Sequence, residues 1–137
     1  MGLHTITLNL PDQLYRRLQQ TAQSMRRPLN EVLIRAVEIG SPPTWDDVPS
    51  SYQVELAALD RLDDDSLWQI ARARQTEAEL SRYVALLERN AEQTISSAEQ
   101  VELETLRESA DLFMLKKAQA VALLHWRGHA IPPSERL

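Results

Sequence analysis

The stretch that decides the fold is Thr5-Ile6-Thr7-Leu8-Asn9-Leu10, which is followed at once by Pro11. Its polar and apolar side chains alternate. A strand here would therefore carry the isoleucine and two leucines on one face, and the two threonines and the asparagine on the other. A single strand of this length is not stable alone. We therefore expect residues 5–10 to form a strand that pairs with a second chain.

Two amphipathic helices are expected directly after this stretch. Pro11 and Asp12 suit a first helical turn, and Leu14, Leu18 and Ala22 recur at a spacing of four, which predicts a helix over 12–24. A second helix is predicted from Pro28 to Gly40, because its apolar side chains follow the spacing i, i+3, i+4, i+7, i+8: Leu29, Val32, Leu33, Ala36 and Val37. Residues 1–40 thus form a first small domain.

The segment 41–51 is predicted to be a linker. It contains three prolines in eleven residues, and proline interrupts both helices and central strands. Trp45 is unusual in a flexible tether, so we expect it to dock onto a neighbouring domain.

Residues 52–137 are predicted to be helical throughout. Aspartates 63–65 suit the start of a helix, and the pairs Thr76/Glu79 and Ser96/Glu99 have the spacing of capping boxes. The last helix is expected to run to Arg127, where Gly128 follows. Its apolar seam is interrupted by one lysine: Leu103, Leu106, Ala110, Phe113, Lys117, Ala120 and Leu124. A small isolated bundle cannot cover so long a helix completely, which favours a partner subunit or another protein as the cover.

The net charge of −5 conceals two halves of opposite sign. Residues 1–40 carry five arginines and three acidic residues, whereas residues 41–137 carry ten basic and seventeen acidic residues. The first part suits a polyanion, and the second suits a basic partner. No apolar run is long enough for a membrane span, no signal peptide is evident, and cysteine is absent, so we expect a cytoplasmic protein.

No catalytic constellation is evident. Adjacent aspartates on a helix point in different directions, and Gly128 separates His125 from His129, which disfavours a two-histidine metal pair. We therefore predict no enzymatic activity, no metal and no cofactor.

The segments TITLNLPDQLYRRL and RRPLNEVLIRAV resemble the ribbon-helix-helix family, which includes the Arc and MetJ repressors and many antitoxins. The resemblance implies a mainly α chain that begins with one short β-strand and two helices in an intertwined dimer. It implies that the paired strands enter the DNA major groove, with Thr5, Thr7 and Asn9 as base-reading residues. It further implies phosphate contacts from Arg26, Arg27, Pro28, Leu29 and Asn30. The expected dimer core is Ile6, Leu8, Leu10, Leu14, Leu18, Val32, Leu33 and Ala36.

Three features depart from that family. Met25-Arg26-Arg27 occupies the turn between the helices, where a glycine is common, and Pro28 replaces the usual serine or threonine cap. The reading strand also lacks a basic residue.

The segments LDDDSLWQIARARQ, LLERN and the residues around KKAQAVALLHWRGH resemble a helical region of small bacterial proteins that look like antitoxin partners of nucleases. We expect this region, residues 52–137, to bind a partner or to oligomerise, with Leu103, Leu106, Phe113 and Trp126 as contact residues.

The sequence therefore predicts a homodimeric antitoxin of a type II toxin–antitoxin operon. It would bind a palindromic double-stranded operator and neutralise a basic toxin of the nuclease type. The main alternative is a stand-alone transcriptional regulator whose C-terminal helices oligomerise or sense a ligand. A third alternative is a structural adaptor whose ribbon serves dimerisation only.

Overall fold

The computed structural model describes residues 2–137. The chain divides into two compact units, Met1–Ser41 and Pro42–Leu137. Six α-helices and one short 3₁₀ helix make up the regular structure of the described chain. None of these helices combines the length and apolarity needed to cross a membrane.

The predicted N-terminal strand is wrong. Residues 2–10 have no regular secondary structure, and no strand is found anywhere in residues 2–137. A strand requires a neighbouring strand to take its backbone hydrogen bonds, and the rest of the described chain is helix or irregular. The alternation in residues 5–10 gives a strand two distinct faces, but it does not provide the neighbouring strand. The ribbon-helix-helix fold is thereby contradicted, although the mainly helical class is correct.

The first unit consists of α1 (Asp12–Met25) and α2 (Leu29–Ile39), which pack against each other. Pro11 and Pro28 stand just before the two helices. Ala22 and Val32 are the buried apolar residues of this unit. Most of the apolar surface of the two helices therefore remains uncovered within one chain.

The second unit contains α3 (Ser50–Leu59), α4 (Asp64–Arg72), α5 (Glu77–Ala91) and α6 (Ser97–Trp126), followed by the 3₁₀ helix Ser134–Arg136. Helices α3, α4 and α5 all pack against α6. The core lies between α3, α4 and the C-terminal part of α6, and its buried members are Leu56, Leu59, Leu67, Ala71, Ala120, Leu123 and Leu124.

The proline-rich segment after Ser41 is partly packed onto this second unit. Trp45 and Val48 lie against its core, and the Gln119 side-chain amide donates to the Pro43 carbonyl at 3.2 Å. The indole thus docks as expected, and α3 already begins at Ser50.

The helix starts follow the sequence signals closely. The Asp63 carboxylate accepts from the Ser66 amide at 2.8 Å, which caps α4. Both predicted capping boxes are confirmed, at Thr76/Glu79 and at Ser96/Glu99. These local interactions fix where α4, α5 and α6 begin.

Candidate functional site

The three predicted base-reading residues, Thr5, Thr7 and Asn9, are all exposed on the irregular segment before α1. Regular structure begins with α1, where the Tyr15 amide donates to the Pro11 carbonyl at 3.0 Å. The polar side chains are therefore accessible to a ligand, but no hydrogen-bonded ladder sets their spacing.

The five predicted phosphate-binding residues lie together at the turn between α1 and α2. Arg26 and Arg27 are exposed, Pro28 and Asn30 are exposed, and Leu29 is half-buried. Arg27 forms an exposed ion pair with Glu31, with 3.6 Å between Nη1 and Oε2. Such a pair contributes little to stability in water, so Arg27 remains available to an anion. Arg27 precedes α2 and Glu31 lies in its first turn, so this pair joins the turn to the helix start.

Arg26 has an unusual backbone conformation. Its φ of 53° lies in the left-handed region that favours glycine. The turn is closed by hydrogen bonds from the Arg26 amide to Gln23 and from the Arg27 amide to Ala22, at 3.2 and 3.0 Å. An arginine thus occupies the position where a glycine would be least strained.

The predicted dimer-core residues are mostly uncovered. Ile6 is 78% exposed and Leu8 67% exposed, and Leu14 and Ala36 are also exposed. Leu10, Leu18 and Leu33 are half-buried, which leaves Val32 as the buried member of the set. Further exposed apolar side chains, outside the predicted core, are Ile34, Val37 and Ile39.

The predicted partner-binding residues are placed differently from one another. Leu103 is buried, whereas Trp126 is half-exposed at the end of α6. Leu106 and Phe113 line an open cavity of about 400 Å³, which we call the α5–α6 groove. Its complete lining is Gln75, Glu79, Leu80, Tyr83, Leu106, Ser109, Ala110 and Phe113.

Ion pairs tie α5 to the first turns of α6. Arg82 donates two hydrogen bonds of 2.7 Å to the Glu102 carboxylate, and Arg89 binds Glu99. Hydrogen bonding to Arg82 lowers the pKa of Glu102 below its ordinary value. The pKa of Glu99 is also lowered, chiefly because its carboxylate accepts the Ser96 amide. Both arginines are therefore paired with glutamates of α6.

A second polar cluster, which the sequence does not predict, joins the end of α6 to the start of α4. Arg127 donates to the Leu62 carbonyl and to Asp64, each at 2.9 Å, and His129 lies 2.7 Å from the other Asp64 oxygen. The Arg127 hydrogen bond, followed by that of His129, lowers the pKa of Asp64. No spacing in the sequence relates residues this far apart.

The same cluster includes an aromatic contact. The Trp68 and His129 rings meet edge to face with centroids 5.9 Å apart, and the Arg72 guanidinium lies 4.7 Å from the Trp68 ring centre. Within residues 2–137, no three His, Cys, Asp or Glu side chains are grouped so as to hold a metal ion. The hydrogen bonds and ring contacts of this cluster join the end of α6 to α4.

None of the protein families, curated proteins or solved structures compared with this chain matches it.

Proposed function

We propose that this chain is a homodimeric, sequence-specific DNA-binding antitoxin. Its N-terminal unit binds the operator of its own operon, and its acidic helical unit binds and neutralises a basic toxin of the nuclease type. The observation that carries the proposal is the division into two units of opposite charge, of which the basic one leaves most of its apolar side chains uncovered. This function places the protein in the cytoplasm.

Homodimerisation is supported by the packing of the first unit. A unit of this size with Ala22 and Val32 as its buried apolar residues lacks the core needed for independent stability. Exposed Ile6, Leu8 and Ile34 offer apolar surface to a second copy, which is always present at the same concentration. Association would bury this surface and supply the missing core.

DNA binding is supported by the chemistry of the exposed groups. Arg26 and Arg27 can neutralise phosphates, and the exposed Asn9 amide can both donate to and accept from an adenine edge. Thr5 and Thr7 add hydroxyl and methyl groups. The dimer would present each of these residues twice, which suits a palindromic operator.

Binding of a basic protein is supported by the charge of the second unit, which carries seventeen acidic and ten basic residues. Complementary charge accelerates association and disfavours wrong partners. The same negative charge repels DNA, so the two activities belong to separate units.

The DNA test compares the duplex upstream of the chain's own gene with random DNA. We expect Asn9→Ala to weaken binding to the upstream site at least tenfold while binding to random DNA changes little. An equal loss on both duplexes would refute base reading, and no binding by the unaltered protein at low salt would refute the DNA-binding function.

The dimer test is sedimentation of the full chain. We expect Ile34→Asp to convert the dimer to monomer, whereas Val54→Asp, at a valine that is 79% exposed in the second unit, leaves it dimeric.

The toxin test is co-expression with the adjacent gene. A tetramer with no adjacent gene for a basic protein would contradict the antitoxin function and favour a stand-alone regulator.

A further inference from the structure

The helix pair α5–α6 has little core of its own. Leu86 and Leu103 are its buried apolar residues over the segment 77–114, whereas the main core of the second unit lies farther along α6. Two helices side by side cover only one face of each other, so a third element is needed to enclose both. The α5–α6 groove marks where that element is missing.

An exposed strip runs along α5 beside this groove. Glu77, Leu80, Val84 and Glu88 are spaced by three, four and four residues, which places them on one side of the helix. Leu80 is 46% exposed and Val84 50% exposed. Neither Glu77 nor Glu88 forms an ion pair with another of residues 2–137. The strip is thus an apolar centre with an uncompensated acid at each end.

The charge of the segment indicates what would cover it. Residues 77–114 carry nine acidic side chains and three arginines, and two of those arginines, Arg82 and Arg89, already pair with Glu102 and Glu99. A second copy of the same strip would bring glutamate against glutamate, which is repulsive. A helix with apolar residues at its centre and lysines or arginines at its ends would satisfy both features.

We propose that the α5–α6 groove and the adjoining strip bind a basic amphipathic helix of the partner protein. The inference rests on the proposed function, because it assigns the toxin-binding site to one face of the acidic unit. The apolar side chains of the incoming helix pack on Leu80, Val84 and Phe113, and its cations meet Glu77 and Glu88. The complex is thereby a three-helix arrangement, the common helix-in-groove mode of recognition.

The test uses a synthetic helical peptide of about 18 residues with a leucine stripe and lysine ends, labelled for fluorescence anisotropy. A peptide with glutamate in place of every lysine is the charge control. We expect the full-length protein to bind the lysine peptide at least tenfold more tightly than the glutamate peptide. We expect Val84→Asp to reduce that binding at least tenfold, while Val54→Asp, on exposed α3 surface, leaves it unchanged.

A second variant guards against loss of folding. Leu80→Ala removes apolar surface without adding charge, and its circular dichroism spectrum should match that of the unaltered chain. The double variant Glu77→Lys/Glu88→Lys should reverse the preference between the two peptides. Equal binding of both peptides, or binding unaffected by Leu80→Ala and Val84→Asp, would overturn the proposal. So would a Val84→Asp variant of smaller oligomeric size, because the strip would then be an interface between copies.

The peptide assay requires neither DNA nor the toxin. Groove-specific peptide binding without operator binding or toxin neutralisation would refute only the proposed function. A toxin that binds Val84→Asp as well as the unaltered chain would refute only the groove assignment.

Discussion

Replacement of Arg26 by glycine should stabilise the first unit and weaken its binding to DNA. The residue has a φ of 53°, and the left-handed conformation costs a residue with a Cβ atom about 1–2 kcal/mol. Glycine removes that cost but adds about 0.5–1 kcal/mol of chain entropy to the unfolded state. With the midpoints of the two ranges, about 1.5 and about 0.75 kcal/mol, the net stabilisation is about 0.5–1 kcal/mol.

Hydrogen exchange in the full chain measures this gain, because it reports on each unit separately. At about 0.6 kcal/mol for RT, the gain corresponds to amide exchange in α1 and α2 that is about two- to fivefold slower. Gln93→Gly is the matched control, since Gln93 also has a positive φ, 61°, but lies between α5 and α6. It should slow exchange there and leave α1 and α2 unchanged.

Arg26→Gly should also bind DNA less tightly than the unaltered chain, because it lacks one cation. The slope of log affinity against log salt should fall by about 0.9 for each phosphate that the protein no longer neutralises. Arg26→Lys keeps the charge and the strain, so it should retain both the slope and the exchange rates. Faster exchange in Arg26→Gly would refute the strain argument, and an unchanged slope would refute the assignment of Arg26 to a phosphate.

Three further predictions concern the second unit. Leu67→Ala should lower the free energy of unfolding by about 2–5 kcal/mol, because it truncates a fully buried side chain; urea unfolding monitored by tryptophan fluorescence measures this. The control Val54→Ala, at an exposed position, should change it by less than about 0.5 kcal/mol. Ser96→Ala should cost about 1 kcal/mol by the same measurement, because α6 loses its capping hydroxyl. The pKa of Asp64 is lower in the folded chain than its ordinary value of 3.8, because the ionised carboxylate accepts from Arg127 and His129. These bonds therefore stabilise the fold at pH values above 3.8, and their contribution is lost as the pH falls through the folded pKa. The stability difference between the unaltered chain and Asp64→Asn should therefore shrink in urea titrations from about pH 6 to about pH 2.5, and a constant difference would contradict this assignment.

Interactions between near neighbours in the sequence were the most predictable part of the fold. Ser96 and Glu99 specify a cap through two hydrogen bonds within one helical turn, so the start of α6 could be inferred from residue spacing. Trp45 could be recognised as a docking residue because an indole has no role in a solvated tether.

Interactions between distant residues could not be predicted in the same way. The alternation over residues 5–10 is a property of side chains, whereas a strand depends on a backbone neighbour that the described chain lacks. The bonds from Arg127 to Leu62 and Asp64 join segments more than sixty residues apart, and no periodicity encodes them. The α5–α6 groove likewise arises from the packing of two helices, although Leu106 and Phe113 were identified on one of them.

Helix α6 is 30 residues long, about 45 Å at 1.5 Å per residue, and its two ends have unequal support. The C-terminal part is enclosed by α3 and α4, whereas the N-terminal part is held by α5 and by surface ion pairs. The less supported end opens more often, and a protease cleaves a chain where it opens. Degradation of this protein should therefore begin in α5 or the first turns of α6, and a ligand that occupies the groove lengthens the lifetime of the whole chain.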